Sequence, residues 1–482
     1  MTAPVPLVLQ AIEALKHGER RTAANLLEQD IRTGPPAGDR WRSVSMLASQ
    51  IGEIETAIEA SRRFASPPTI ERLLFYWGRL ATYGRSADAV ADIEKQGGPV
   101  RSHPAVLTFL GTIAGEQGRF GEGEDLLRRA LAQAPDSPES WFALATIKTF
   151  GPGDADLRAM DALAATFEWA PPEAQAKLHY ALGKARDDVG DFDRAFDHYQ
   201  RGAALRRRGG GYDGAAAHSA ADRIIRDFTP ANLSKLTPSQ AGEQRSIFVT
   251  GLPRSGTTLV QQMLAAHSRV SDGDEVNLFK PALIPTLDFT FEGALRYQQR
   301  SESADPWGDV ARDYARFIDI RFRAPGLVVD KSLGQSTLIG FLLHSLPEAR
   351  LLWVRRNAED TALSCFRTSF TAASHWSWSI ADIASHFQVE DQLFEHWHGL
   401  FGDRILVVPY EEMVAEPGKW IGAIATHAGL DMEAGMERFH EGKRTVRTAS
   451  VKQVRSAVST ARVGAAVQYP QFVSQFRAAY GA

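Results

Sequence analysis

Two different patterns of apolar and polar positions divide the chain. Up to about residue 205, Ala and Leu interleave with charged residues and read as successive amphipathic helices. From about Arg245 the pattern changes to short apolar runs at 247–250, 327–329, 351–354 and 405–408. These runs are rich in Val, Ile and Leu and bounded by turn residues, as buried parallel strands are. Amphipathic stretches separate them, which predicts a parallel sheet covered by helices. Ligands of such sheets sit beyond the carboxyl ends of the strands, so the polar residues after each run are the candidate site. Between the two regions, RRRGGGYDG (Arg206 to Gly214) joins charge to glycine and predicts a linker or mobile loop. Its arginines read as a solvated helix end. The expected domains are 1–205, helical repeats; 206–244, a linker or connecting helix; and 245–482, an α/β domain.

Two helical windows share a pattern, one running from Phe109 to Pro135 and the other from Tyr180 to Leu205. Each has Leu-Gly (Leu110-Gly111, Leu182-Gly183), a Gly seven residues on (Gly118, Gly190), then Phe (Phe120, Phe192) and a small residue (Gly123, Ala195). This resembles the tetratricopeptide repeat, a helix–turn–helix of about 34 residues. Another copy begins at Trp141, and 23–27, 57–60 and 83–84 look like degenerate earlier turns. An irregular helical bundle is the alternative.

Composition narrows the classes. The chain has 482 residues, too many for one ordinary core. Hydrophobic residues at 44% and charged residues at 23% are those of a globular protein, not a disordered one. A net charge of -4 argues against a general nucleic-acid binder. The single cysteine, Cys365, excludes an intrachain disulfide and a cysteine-based zinc site. No secretory leader and no uncharged run of membrane-spanning length is evident, so the expectation is a cytoplasmic protein without a metal site.

The candidate chemistry starts at Gly251-Leu-Pro-Arg254-Ser255-Gly256-Thr257-Thr258, between the first strand and a helix. The glycine spacing is that of a triphosphate-binding loop, but Thr257 stands where the lysine belongs. Glycines let backbone wrap an oxyanion, helix-start N–H groups point at it, and the hydroxyls add donors. Arg254 supplies a positive charge. PRSGTTL resembles the 5′-phosphosulfate loop of sulfotransferases that use 3′-phosphoadenosine 5′-phosphosulfate (PAPS). It looks most like the tyrosylprotein sulfotransferases and bacterial proteins that fuse tetratricopeptide repeats to such a domain. The resemblance covers about residues 245–470 and implies an α/β core related to nucleotide kinases. Its donor has no γ-phosphate, so a lysine placed for one is dispensable.

The resemblance also implies roles at the later strand ends. Arg356 followed by Ser364 matches the family's 3′-phosphate motif, with Asn357 as a cap in place of the usual Asp. Arg367 lies near the family's second Arg but out of register. Glu275, in Gly273-Asp274-Glu275, matches the catalytic base, and a positioned carboxylate suits that task. His267, a rival base, is structural in the resembling branch. Lys331 matches the lysine that stabilises the leaving oxygen, a role shared with Arg254; a surface lysine paired with Asp330 is the alternative. Tyr410 and Ser450 match donor contacts. Ala449 replaces a serine of the family. Ala465 replaces a lysine, with Arg462 nearby.

The leading expectation is thus a PAPS-dependent sulfotransferase that moves a sulfuryl group to a hydroxyl and leaves 3′,5′-phosphoadenosine. The donor-binding set is Arg254, Ser255, Gly256, Thr257, Thr258, Arg356, Ser364, Tyr410 and Ser450. The catalytic set is Glu275, Lys331 and Arg254. A nucleotide-dependent kinase and a repeat scaffold with a degenerate transferase domain are the alternatives. The repeats suit a peptide or protein partner, self-association, or a cover for the active site; the acceptor stays open among tyrosine, sugar, lipid and small phenol.

Overall fold

The computed structural model describes residues 5–442, 455 and 457–481. An all-helical N-terminal region precedes a parallel five-stranded α/β domain. The strands are β1 (Ser246–Thr250), β2 (Val270–Asp272), β3 (Leu327–Asp330), β4 (Leu351–Arg355) and β5 (Ile405–Pro409). They lie in the order β2-β3-β1-β4-β5. Parallel pairing sets Ile247 of β1 beside Val329 of β3, and Trp353 of β4 beside Val407 of β5. Four strands coincide with the apolar runs, because a strand covered on both faces needs apolar residues at nearly every position. The fifth, β2, is only Val-Ser-Asp and carries no such signal.

The chain packs into two compact units, each drawing on both regions. One comprises Met1–Arg101, Arg223–Phe248 and Glu275–Arg350; the other Ser102–Asp222, Val249–Asp274 and Leu351–Ala482. In the first, the N-terminal helices bury Trp41, Val44, Leu27 and Phe64 in one cluster. Arg20 on helix Arg20–Thr33 is 2% exposed. It donates to Asp313 at 3.0 Å and to Glu53 at 2.8 Å, which ties its helix to helix Pro306–Arg321. Removing one partner from a buried pair of this kind costs about 3–5 kcal/mol.

The second unit holds the two clear repeat windows as antiparallel helix pairs. They are Pro104–Glu116 with Phe120–Gln133, and Pro172–Asp188 with Phe192–Arg207. Gly183 permits the second pair's close approach: a Cβ there would lie 2.6 Å from the Tyr199 ring. Between the pairs stand Pro138–Ile147, begun by Ser137 capping the Ser140 N–H, and Ala155–Ala164. The arginine run ends helix Phe192–Arg207, with Arg207 3.5 Å from Asp382.

One polar pair lies within this helical packing. His179 and His198 meet Nδ1 to Nδ1 at 3.0 Å. Burial, then His198 and Arg201, push the His179 pKa down to about 4. The His198 pKa is lowered as well, mainly by burial. A histidine held below its ordinary value of 6.5 favours the fold only while neutral. Its contribution is present above that value and is lost as pH falls toward 4. The melting temperature should therefore drop over this window, and His179→Gln should flatten the drop. Calorimetry of both proteins across this pH range checks it; parallel profiles would contradict the assignment.

Candidate active site

Each compact unit carries one group of candidate residues. In the second, β1 runs into the loop at Gly251, where φ is 139°. A Cβ at this position would stand 2.5 Å from the Val354 carbonyl oxygen, so the chain passes too close to β4 for any side chain. Arg254 also has a positive φ, 69°. For a residue other than glycine this costs about 1–2 kcal/mol, and such strain clusters at functional sites. Helix Thr257–Ala265 starts directly after Gly256, with Thr257 and Thr258 buried in its first turn.

Four arginines gather around this loop. Arg254 Nε donates to Ser364 Oγ at 3.0 Å. Arg356 donates to the Arg254 carbonyl at 3.2 Å and to the Arg462 carbonyl at 2.7 Å. Its guanidinium lies over the Tyr410 ring at 4.5 Å, a cation–π contact. Burial, and then the guanidiniums of Arg462, Arg367 and Arg356, push the Arg254 pKa down to about 10. A cation whose surroundings disfavour its charge is placed for an anion. Among the described residues, the buried Ser255 Oγ and Arg356 Nε find no hydrogen-bond partner. The donor set therefore fits a phosphate or phosphosulfate.

The structure thus brings Arg254, Ser364, Arg356 and Tyr410 together. Arg355 turns away to Asp391, at 2.7 Å. Arg367 pairs with Asp187 at 2.9 Å. Asn357 caps helix Ala358–Phe366 by accepting from the Asp360 N–H at 3.0 Å. Cys365 is buried and donates to the Pro253 carbonyl at 3.2 Å, and burial pushes its thiol up to about 12. Ser450 and Ala449 lie outside the described residues.

Asp360 was not singled out in the sequence. Its carboxylate accepts from the Gly464 N–H at 2.7 Å and the Ala466 N–H at 2.8 Å, and stands 3.7 Å from Arg356. It therefore fastens the C-terminal segment beside Arg356. Its place in the first turn of helix Ala358–Phe366, four residues after Arg356, is the signal that marks it.

The first unit holds Glu275 and Lys331. Lys331 follows β3, is 1% exposed, and donates to Glu275 at 3.1 Å. It is not the surface partner of Asp330. That carboxylate accepts from the Tyr314 hydroxyl at 2.7 Å and the Ser332 hydroxyl at 2.5 Å. Ser332 in turn accepts from the Asn277 N–H at 2.6 Å, which pins the segment after Glu275 to the end of β3. Glu275 itself is well exposed, as a group that meets a ligand must be. In the second unit, His267 is buried, 3.3 Å from Glu433, and accepts from the Arg269 N–H at 3.1 Å. Asp272 of β2 is held by Gln261 and by Gln262, the latter at 2.7 Å. Among the described residues, no group of three or more His, Cys, Asp or Glu is placed to hold a metal, and no helix is long and apolar enough to cross a membrane.

A parallel α/β sheet with a cationic, glycine-bounded loop after its first strand defines an anion-binding α/β class. Within that class, residues 246–434 match the sulfotransferase family, and residues 104–147 match the tetratricopeptide repeat. The chain carries a sulfotransferase-family domain behind a tetratricopeptide repeat. Its curated relatives are distant. An uncharacterized protein of Aquifex aeolicus (strain VF5) is 24% identical over 77% of this chain and 50% of that protein. The protein-tyrosine sulfotransferase of Drosophila melanogaster is 25% identical over 38% of this chain and 37% of that protein. The chain thus spans half or less of the length of these relatives. Among solved structures, it is similar to the sulfotransferase domain of the Synechococcus PCC 7002 olefin synthase. Identity there is 20% over 50% of this chain and 98% of that one, with a TM-score of 0.30.

Because the loop's path is set by its contact with β4, Gly251→Ala should destabilise the protein by about 1–3 kcal/mol. Urea unfolding measures it. A change within experimental error would show that the loop relaxes away from Val354.

Proposed function

We propose that the chain transfers a sulfuryl group from PAPS to a hydroxyl acceptor. The observation that carries this reading is the arginine group at the loop. Arg254 is strained, depressed in pKa and bonded to Ser364, beside Ser255 Oγ and Arg356 Nε, which find no partner among the described residues. Bound PAPS supplies the sulfuryl group and a phosphate leaving group. In this reading Gly256, the hydroxyls of Ser255, Thr257 and Thr258, and the first helical N–H groups hold the 5′ end. Arg356 and Ser364 hold the 3′-phosphate, with Tyr410 and Ser450 as further donor contacts. Glu275 accepts the acceptor's proton as the new S–O bond forms. Lys331 and Arg254 offset the negative charge that develops on the departing oxygen.

Thr257 in the lysine position argues against a triphosphate kinase. The buried Lys331 paired to Glu275, together with the strained Arg254, argues against a degenerate scaffold. A peptide or protein tyrosine is the acceptor we favour. The repeat match and the likeness to a protein-tyrosine sulfotransferase support it. The single cysteine supports a reducing, cytoplasmic setting.

Thermal shift and labelled transfer test the reading. Saturating 3′,5′-phosphoadenosine should stabilise the fold, by about 2.7 kcal/mol at one hundred times its Kd, and magnesium-ATP should not. The reverse result would assign the chain to a kinase, and no shift from either would favour the scaffold. Glu275→Ala should retain the shift yet lose about 100-fold or more of label transfer from PAPS into lysate. Undiminished transfer would remove Glu275 as the base.

A further inference from the structure

We infer that the repeat helices form part of the donor site, through Asp187 acting as a positioning residue for the Arg367 guanidinium. The inference rests on the donor reading above. Asp187 closes repeat helix Pro172–Asp188, 180 residues before Arg367 in the chain. Its Oδ1 accepts from Arg367 Nη1 at 2.9 Å, and the Tyr469 hydroxyl donates to the same oxygen. The Tyr469 ring lies 5.5 Å from the guanidinium and meets Phe192 of the next repeat helix edge-on at 5.3 Å. Arg367 is thus held by a carboxylate on one side and an aromatic face on another, both anchored to the repeat.

The packing points the same way. Helix Ala358–Phe366 carries Ser364 and ends just before Arg367. Its Ala362, Leu363, Cys365 and Phe366 share a core with the repeat residues Tyr180, Phe196 and Tyr199. Phe196 and Phe366 lie 6.0 Å apart, ring to ring. The wall behind the anion-binding side chains is therefore repeat helix.

The electrostatics separate two kinds of arginine in the cluster. Burial opposes the charge on Arg367, but Asp187, Tyr199 and Tyr469 together outweigh it and raise its pKa. Arg254 is shifted the opposite way, with Arg367 among the like charges that depress it. Asp187 thus fixes where one positive charge of the cluster stands. A largely desolvated ion pair of this kind sets geometry more than it adds stability. On this view the repeat governs how strongly the donor's 3′-phosphate is recognised, independently of any acceptor it recruits.

Calorimetry on the full chain tests this with two nucleotides, 3′,5′-phosphoadenosine and adenosine 5′-phosphate, which differ only in the 3′-phosphate. Wild type should prefer the first strongly. Asp187→Asn should cut that preference about tenfold or more with little change for adenosine 5′-phosphate, and Asp187→Glu should restore much of it. An unchanged preference, or equal weakening of both ligands, would overturn the inference, because general structural damage does not single out the 3′-phosphate. If Asp187→Asn does not fold, Tyr469→Phe decides: the preference should fall, and an unaltered one overturns the proposal. A wild-type protein with no preference would instead defeat the donor reading on which the inference stands.

Discussion

Like charges crowd together where β1 ends, and much of the site's architecture manages that repulsion. Burial opposes the charge on Arg254 most, and guanidiniums this close add to that cost. The fold tolerates the arrangement by tying each cation to something rigid. Arg254 is bonded to Ser364, Arg356 lies on Tyr410 and between two carbonyls, and Arg367 is fastened to Asp187. A phosphate entering such a site meets donors already oriented, so little conformational freedom is lost on binding. The strained backbone at Arg254 belongs to the same arrangement, because that conformation is what the turn between glycines imposes.

The parts of this architecture that the sequence announces are those governed by local rules. Parallel strands need unbroken apolar runs, so four of the five are visible. β2 is not, since its three residues owe their place to Gln261 and Gln262 gripping Asp272. The loop is legible because its path demands glycine where β4 passes, at Gly251. Arg356 and Ser364 are legible as a spaced pair, yet the guanidinium bonded to Ser364 is that of Arg254, from another segment. Lys331 shows the limit most plainly. Its neighbour in sequence is Asp330, but successive residues at a strand end point to opposite sides. Asp330 is taken by Tyr314 and Ser332, while Lys331 turns to Glu275. The pairing of Asp187 with Arg367 has no local signature at all.

The N-terminal helical region is more than an appendage to the α/β domain. Within the second compact unit, aromatic residues of helices Pro172–Asp188 and Phe192–Arg207 supply one side of the core under helix Ala358–Phe366. Within the first, Arg20 of an N-terminal helix is neutralised by Asp313 of helix Pro306–Arg321. Helical region and sheet thus share cores and buried charges, and each stabilises the other's interior.

Cys365 lies directly beneath the loop, its sulfur bonded to the Pro253 carbonyl and its thiol kept protonated by burial. In that state it is a poor nucleophile. It is also the chain's sole thiol. Thiol-alkylating reagents therefore meet no reactive thiol while the loop is seated, and reach one only when Pro253 lifts. The chain carries its own chemical clock for the opening of the loop, timed by the rate at which a single sulfur becomes labelled.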